Sequence, residues 1–187
     1  MWYERVMSLK WLARSGWMQR GIPPTVAETV AAHTFEVAVL AHLLAIELER
    51  VGAPIDVRKV LELALYHDVP EAVEGDIVKW VKDRLPREVA EGVEREAAGV
   101  AGVPEELINE LVALSSLEAQ VVKLADNLAT CLQAMRYLGQ GYDVKDILEG
   151  TREYVLSAWV KKFPELRKYE KVVRDFVARI GCGKNAT

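Results

Sequence analysis

Leu65-Tyr66-His67-Asp68-Val69-Pro70-Glu71-Ala72-Val73-Glu74-Gly75-Asp76 follows directly on the apolar helical run Val60-Leu61-Glu62-Leu63-Ala64. A helix here delivers a histidine and an aspartate at its end, and a glutamate three residues later. Consecutive helical side chains diverge by about 100°. His67 and Asp68 therefore converge on one ion only where the helix loosens. Pro70 supplies that point, because proline disfavours helical geometry in the residue before it. Imidazole beside carboxylate suits a divalent transition metal, and Glu71, four residues past His67, lies close enough to act on water bound to such an ion. The plain alternative is a helix terminus with solvated acids.

Outward from this stretch, nearly every segment has helical period, and no stretch alternates like a strand between hairpin turns. The pattern predicts an all-α, single-domain helical bundle. Helices are expected over about Trp2 to Ala13, Glu28 to Val51, Asp56 to the central motif, and Ile77 to Asp83. Others follow over Arg87 to Ala101, Pro104 to Leu114, Glu118 to Leu138, Asp143 to Lys162 and Pro164 to Ile180. Gly52, Gly102, Gly139 and Gly141 punctuate them, and Thr25 or Glu28 opens the long second helix. The domain is expected to cover residues 1–180, with its motif-bearing core over about 9–138, C-terminal helices over 143–180, and a disordered tail over 181–187.

The 187 residues carry a net charge of -4, with both signs interspersed, which excludes the basic patch of a nucleic-acid surface. No apolar run approaches the roughly 20 residues that span a bilayer, and Met1-Trp2-Tyr3-Glu4-Arg5 does not read as a signal peptide. A cytoplasmic protein without membrane partners is expected. Cys131 and Cys182 are far apart and neither belongs to a Cys-x-x-Cys pair, so no zinc ribbon or redox motif is present. Cys131 is expected in the core and Cys182 in a mobile tail.

Two further segments bear on chemistry. His33 lies among small apolar neighbours in Val30-Ala31-Ala32-His33-Thr34-Phe35 and points inward, as a satisfied core residue or as a ligand. His42, nine residues on, is about half a turn out of phase and cannot share its ion. Asp126 sits in the apolar helix Val121-Val122-Lys123-Leu124-Ala125-Asp126, where a carboxylate needs a metal or a partner such as Lys123. Together His33, His67, Asp68 and Asp126 make a plausible set for one divalent ion, Mn²⁺, Co²⁺, Zn²⁺, Ni²⁺ or Fe²⁺.

The H…HD…D skeleton resembles the HD-domain metal-dependent phosphohydrolases, and the finer match is to their 5'-deoxynucleotidase branch. The resemblance runs from Leu9-Lys10-Trp11-Leu12-Ala13-Arg14 through Glu28-Thr29-Val30-Ala31-Ala32-His33 and Tyr66-His67-Asp68-Val69-Pro70-Glu71. It continues over Gly75-Asp76-Ile77 to Val122-Lys123-Leu124-Ala125-Asp126. It implies an HD-type bundle with metal ligation by His33, His67, Asp68 and Asp126. Glu71 would act in the hydrolytic step, and Arg14 would orient the phosphate. It also implies nucleotide contacts by Arg14, Asp68, Asp126 and the segment Asp76, Ile77, Val78 and Lys79. The implied activity is release of phosphate from (deoxy)nucleoside 5'-monophosphates. The alternatives are an HD hydrolase of a triphosphate, cyclic nucleotide or alarmone, or a non-catalytic nucleotide sensor. Two departures stand out: Ala32 replaces the usual acid before the first histidine, and Ser15 replaces an aromatic residue after the arginine. Trp17 is the tryptophan expected near ligand, while Trp11, Trp80 and Trp159 are expected in a core or interface. Asp76 has a second expected role as cap of the helix at Ile77, and Glu74 and Lys79 are expected to be solvated. Residues 143–180 have amphipathic faces suited to a homodimer.

Overall fold

A computed structural model describes residues 1–182. Among them the chain is helical, and pairing between extended segments is limited to an antiparallel bridge between Ala13 and Thr29. The helices are Trp2–Ser8 (α1), Ser15–Met18 (α2), Val30–Arg50 (α3), Val57–Tyr66 (α4), Glu71–Glu74 (α5), Lys79–Lys82 (α6), Arg87–Ala101 (α7) and Glu105–Ala113 (α8). Then come Leu117–Gly139 (α9), Lys145–Glu153 (α10), a π-helical turn at Tyr154–Ala158, Trp159–Lys162 (α11), Pro164–Arg167 (α12) and Glu170–Ile180 (α13). The all-α class stands. The chain divides into two compact units, one of Met1–Phe35 with Leu65–Ala113 and one of Glu36–Ala64 with the residues from Leu114 on. Two of the boundaries fall inside α3 and α4, where helical period runs on unbroken, so no linker announces them.

In the first unit, α1 stops at Ser8, short of the expected Ala13, because the next segment is engaged elsewhere. Leu12 and Leu9 turn their carbonyls to the amides of Val30 (2.9 Å) and Ala31 (3.1 Å), and Thr29 Oγ1 accepts from the Ala32 amide (3.2 Å). The first turn of α3, which carries His33, thus has its orphan donors satisfied by this crossing. Thr29 is its cap, in place of Thr25 or Glu28. Nearby, α5 packs on α7, and α1 on both. The small buried residues Ala97, Ala98 and Ala101 line α7.

In the second unit, α9 buries Leu117, Val121, Leu124 and Leu128, and α10 and α12 pack on it. Its buried Gln120 donates to the Leu114 carbonyl (3.0 Å) and accepts from the amides of Glu165 (3.1 Å) and Leu166 (3.0 Å), closing the start of α12. Leu148, Val155, Trp159, Phe163, Leu166, Val173 and Phe176 are buried. The amphipathic faces of 143–180 are thus turned into the protein itself. The expected tail begins too early: Gly181 ends α13 at φ 98°, and Cys182 is fully buried and disulfide-bonded to Cys131. The pairing across 51 residues overturns the mobile Cys182. The rest of that tail, 183–187, lies outside the described residues.

Trp159 is in the core as expected, whereas Trp11 and Trp80 are exposed and belong to no core. By length and composition α3 is long and apolar enough to cross a membrane, a feature the run-length test overlooks. Its apolar residues Val37, Ala41, Leu44, Ala45 and Leu48 are buried in the protein.

Candidate active site

Helix α4 ends at Tyr66, and the chain turns tightly: the amide of Val69 donates to the Tyr66 carbonyl (3.1 Å) and that of Glu71 to the Asp68 carbonyl (3.1 Å). His67 and Asp68 therefore leave the helix at the point Pro70 marks. His33, from the first turn of α3, is fully buried, as its small neighbours predict. Asp68 Oδ2 is the common corner, 3.2 Å from His67 Nε2 and 3.8 Å from His33 Nε2. The two imidazoles are tilted by 56° with centroids 5.7 Å apart. One ligand atom from each of His33, His67 and Asp68 lies within 4.8 Å of the others. Two imidazoles and one carboxylate, with a buried edge, fit a divalent transition metal with positions left open for substrate. His42 takes no part in this group. Asp126, the fourth expected ligand, belongs to the second unit, where its carboxylate pairs with Lys123 Nζ at 2.7 Å.

Glu71 opens α5 and is only 8% exposed, and its Oε2 has no hydrogen-bond partner. Burial, reinforced by the charges of Asp68 and Asp76 and opposed by Lys82 and Arg14, pushes its pKa up to about 9. The carboxyl is thus held protonated at neutral pH. The cation facing it is Lys82, 4.0 Å from Oε1. Lys79 is exposed and paired with Asp83 at 2.8 Å. Glu74, expected in solvent, is half-buried, and desolvation raises its pKa too.

Gly75 has φ 76° and ψ 165°, a region essentially open to glycine alone. It turns the chain so that Asp76 meets Ser15: Asp76 Oδ2 accepts from the Ser15 amide, and the Asp76 carbonyl accepts from the Ser15 hydroxyl at 2.8 Å. Asp76 does not cap a helix at Ile77, since α6 begins only at Lys79. It caps the first turn of α2 instead. Ile77 and Val78 are half-buried between Asp76 and α6.

Arg14 precedes α2, and its Nη1 lies 3.0 Å from His33 Nδ1 and 3.3 Å from Glu28 Oε2. The same oxygen accepts from Trp17 Nε1 at 3.2 Å. Trp17, the tryptophan expected near ligand, is 2% exposed, so its ring is a core element and offers no stacking face. It enters the site through its N–H. Sequence reading thus missed Glu28, Ser15 and Lys82. Glu28 stood inside the quoted motif five residues before His33, and only its burial reveals a role.

The model of the family described as 5'-deoxynucleotidase YfbR-like matches residues 1–153. A curated protein named 5'-deoxynucleotidase YfbR from Escherichia coli is 32% identical over 155 residues, covering 74% of this chain and 77% of that protein. Another, 5'-deoxynucleotidase VV1113 from Vibrio vulnificus, is 33% identical over 126 residues, covering 62% of this chain and 65% of that one, just under two thirds of its length. Among solved structures, a conserved hypothetical protein from Pyrococcus furiosus superposes with TM-score 0.80 at 31% identity, covering 95% of this chain and 98% of its own. An HD-domain phosphohydrolase from Listeria innocua, at 18% identity and TM-score 0.63 over 94% of this chain and 88% of its own, shares the fold. The motif residues and these likenesses agree, and the chain belongs to the family of YfbR-like 5'-deoxynucleotidases.

Proposed function

We propose that the protein is a metal-dependent phosphohydrolase that releases phosphate from (deoxy)nucleoside 5'-monophosphates. The observation that carries this is the convergence of His33, His67 and Asp68 beside the buried acid Glu71. These three residues would hold the ion. Asp126 is proposed as a further ligand because its segment resembles the last motif of the family. Mn²⁺, Co²⁺, Zn²⁺, Ni²⁺ and Fe²⁺ all suit such donors.

A divalent ion in such a site supplies positive charge to phosphoryl oxygens and makes water a better nucleophile. The chain supplies the rest. The planar guanidinium of Arg14, already at the edge of the His33 imidazole, forks onto the phosphate oxygens. Glu71, protonated at neutral pH, donates its proton to the 5'-oxygen as the phosphorus–oxygen bond breaks. The water oxygen ends on phosphorus with one of its hydrogens, its other proton restores Glu71, and the nucleoside leaves as the alcohol. Asp76, anchored through Oδ2 by Ser15, keeps Oδ1 to accept from a sugar hydroxyl, with Ile77, Val78 and Lys79 along the same edge. Cytoplasmic location and a homodimer belong to this reading as proposals.

The test is phosphate release from a panel of 5'-mono-, 3'-mono- and 5'-triphosphate nucleosides. The protein is stripped of metal and reloaded with Mn²⁺, Co²⁺ or Zn²⁺, beside Asp68→Ala. Metal-dependent turnover of 5'-monophosphates that disappears in Asp68→Ala supports the proposal. Turnover of triphosphates alone, or none with any ion, overturns it.

A further inference from the structure

Lys82 has no part in the reaction as proposed, yet it is the cation that faces Glu71. After the turn at Gly75 the chain re-enters a helix at Lys79, and Lys82, the last residue of that helix, comes back to Glu71, with Nζ 4.0 Å from Oε1. That separation lies outside hydrogen-bond range, and Lys82 Nζ makes no hydrogen bond among the described residues. Lys79, on the same helix, instead gives two to Asp83, at 2.8 and 2.9 Å. The Lys82 charge bears on both acids of α5, Glu71 and Glu74, and Arg14 bears on Glu71 as well. Two cations thus flank the buried carboxyl, and they are held differently. Arg14 is engaged with His33 and Glu28. The Lys82 ammonium has its donors uncommitted, with 44% of its side chain exposed.

A phosphate monoester carries close to two negative charges at neutral pH. The carboxyls of Asp68 and Asp76 already act on the space around Glu71, and a phosphate entering it meets their repulsion. A second positive charge beside Arg14 offsets that cost. In the proposed reaction Glu71 bonds to the 5'-oxygen, which is itself attached to phosphorus. The flexible four-carbon stem of a lysine lets an ammonium 4.0 Å from that carboxyl reach the phosphoryl oxygens beside it. We propose that Lys82 is the second phosphate-binding cation of the site, its ammonium hydrogen-bonding a phosphoryl oxygen while Arg14 holds the others. The contact is made to substrate and to product phosphate alike. The inference deepens the proposed function and rests on it.

The test uses the Mn²⁺-loaded protein as wild type, Lys82→Met and Lys82→Arg, with Lys171→Met on the exposed side of α13 as the control for loss of one surface charge. Inorganic phosphate and deoxyadenosine are titrated separately by calorimetry. Lys82→Met is expected to bind inorganic phosphate about ten- to hundredfold more weakly, the size of a lost hydrogen bond to a charged group, and deoxyadenosine as wild type does. Lys82→Arg recovers part of the loss, and Lys171→Met shows none. kcat/KM for a nucleoside 5'-monophosphate falls with phosphate affinity, mainly through KM. In wild type, saturating inorganic phosphate protects Lys82 but not Lys171 from acetylation, read by mass spectrometry, a measurement that needs no variant to fold. A folded Lys82→Met that binds phosphate within about twofold of wild type overturns the contact, because a lost charged hydrogen bond costs more. Equal losses for phosphate and deoxyadenosine, the mark of a merely structural role, overturn it too, as does a Lys82 left unprotected by phosphate. Wild type that turns over no 5'-monophosphate with any ion removes the proposed reaction itself, whereas an active wild type equalled by Lys82→Met removes Lys82 alone.

Discussion

Ser15 and Asp76, 61 residues apart, are joined twice: amide to Oδ2, and hydroxyl to carbonyl at 2.8 Å. Because Arg14 and Glu71 flank this junction in sequence, it bears on the position of both. Ser15→Ala removes the hydroxyl bond and is expected to cost about 1 kcal/mol. Asp76→Ala leaves the Ser15 amide without its acceptor and is expected to cost about 1–3 kcal/mol. Both raise KM for the nucleotide. Urea unfolding of the two variants checks the order, and a silent Asp76→Ala would refute the junction.

Gly75 makes that junction reachable. Its φ of 76° with ψ of 165° excludes side chains, although a Cβ there would meet nothing within 4 Å. Gly75→Ala is therefore expected to destabilise by about 1–3 kcal/mol through backbone strain alone. Thermal melting measures it, and an unchanged midpoint would show that the turn relaxes freely.

Glu71 carries a pH signature. Its pKa is raised from 4.5 to about 9, so the folded state binds the proton more tightly than the unfolded chain. The stability it contributes is complete below about pH 4.5 and is lost as pH rises through about 9. Wild type should therefore lose stability relative to Glu71→Gln between those limits. Denaturation of the two proteins at about pH 5 and about pH 9 decides it: parallel pH dependence would contradict the burial cost.

The disulfide is expected to matter for folding. Closing a loop of 51 residues restricts the unfolded chain by about 4 kcal/mol in the chain-entropy model. Reduction, or Cys182→Ser, should lower the urea midpoint accordingly. Thiol titration of the unfolded, unreduced protein should find no free thiol among Cys131 and Cys182. Equal midpoints with and without reductant would argue against the bond.

Fold class and the gathering of His33 with His67 and Asp68 were both legible in the residues. Helical period runs through nearly every segment, and Pro70 marks where His67 and Asp68 leave α4. His33 has small apolar neighbours because its face is interior. What was not legible depended on which neighbours meet in space. Trp17 is expected near ligand, but it lies buried in α2 and only its indole N–H, on Glu28, reaches the site. Lys79 and Lys82 are equally basic in the sequence; only the path of α6 decides that Lys82 faces Glu71 while Lys79 pairs with Asp83.

By itself the sequence determined that the chain is helical, where most helices stop, and that an H…HD motif with a following acid is present. These follow from local rules: a 3.6-residue period, proline and glycine geometry, and the chemistry of imidazole and carboxylate. The tertiary structure decided that Glu71 is buried and protonated, that Asp76 anchors Ser15, that Glu28 faces His33, and that Cys182 returns to Cys131. Burial and pairing are set by residues distant in the chain, and a local pattern carries no record of them.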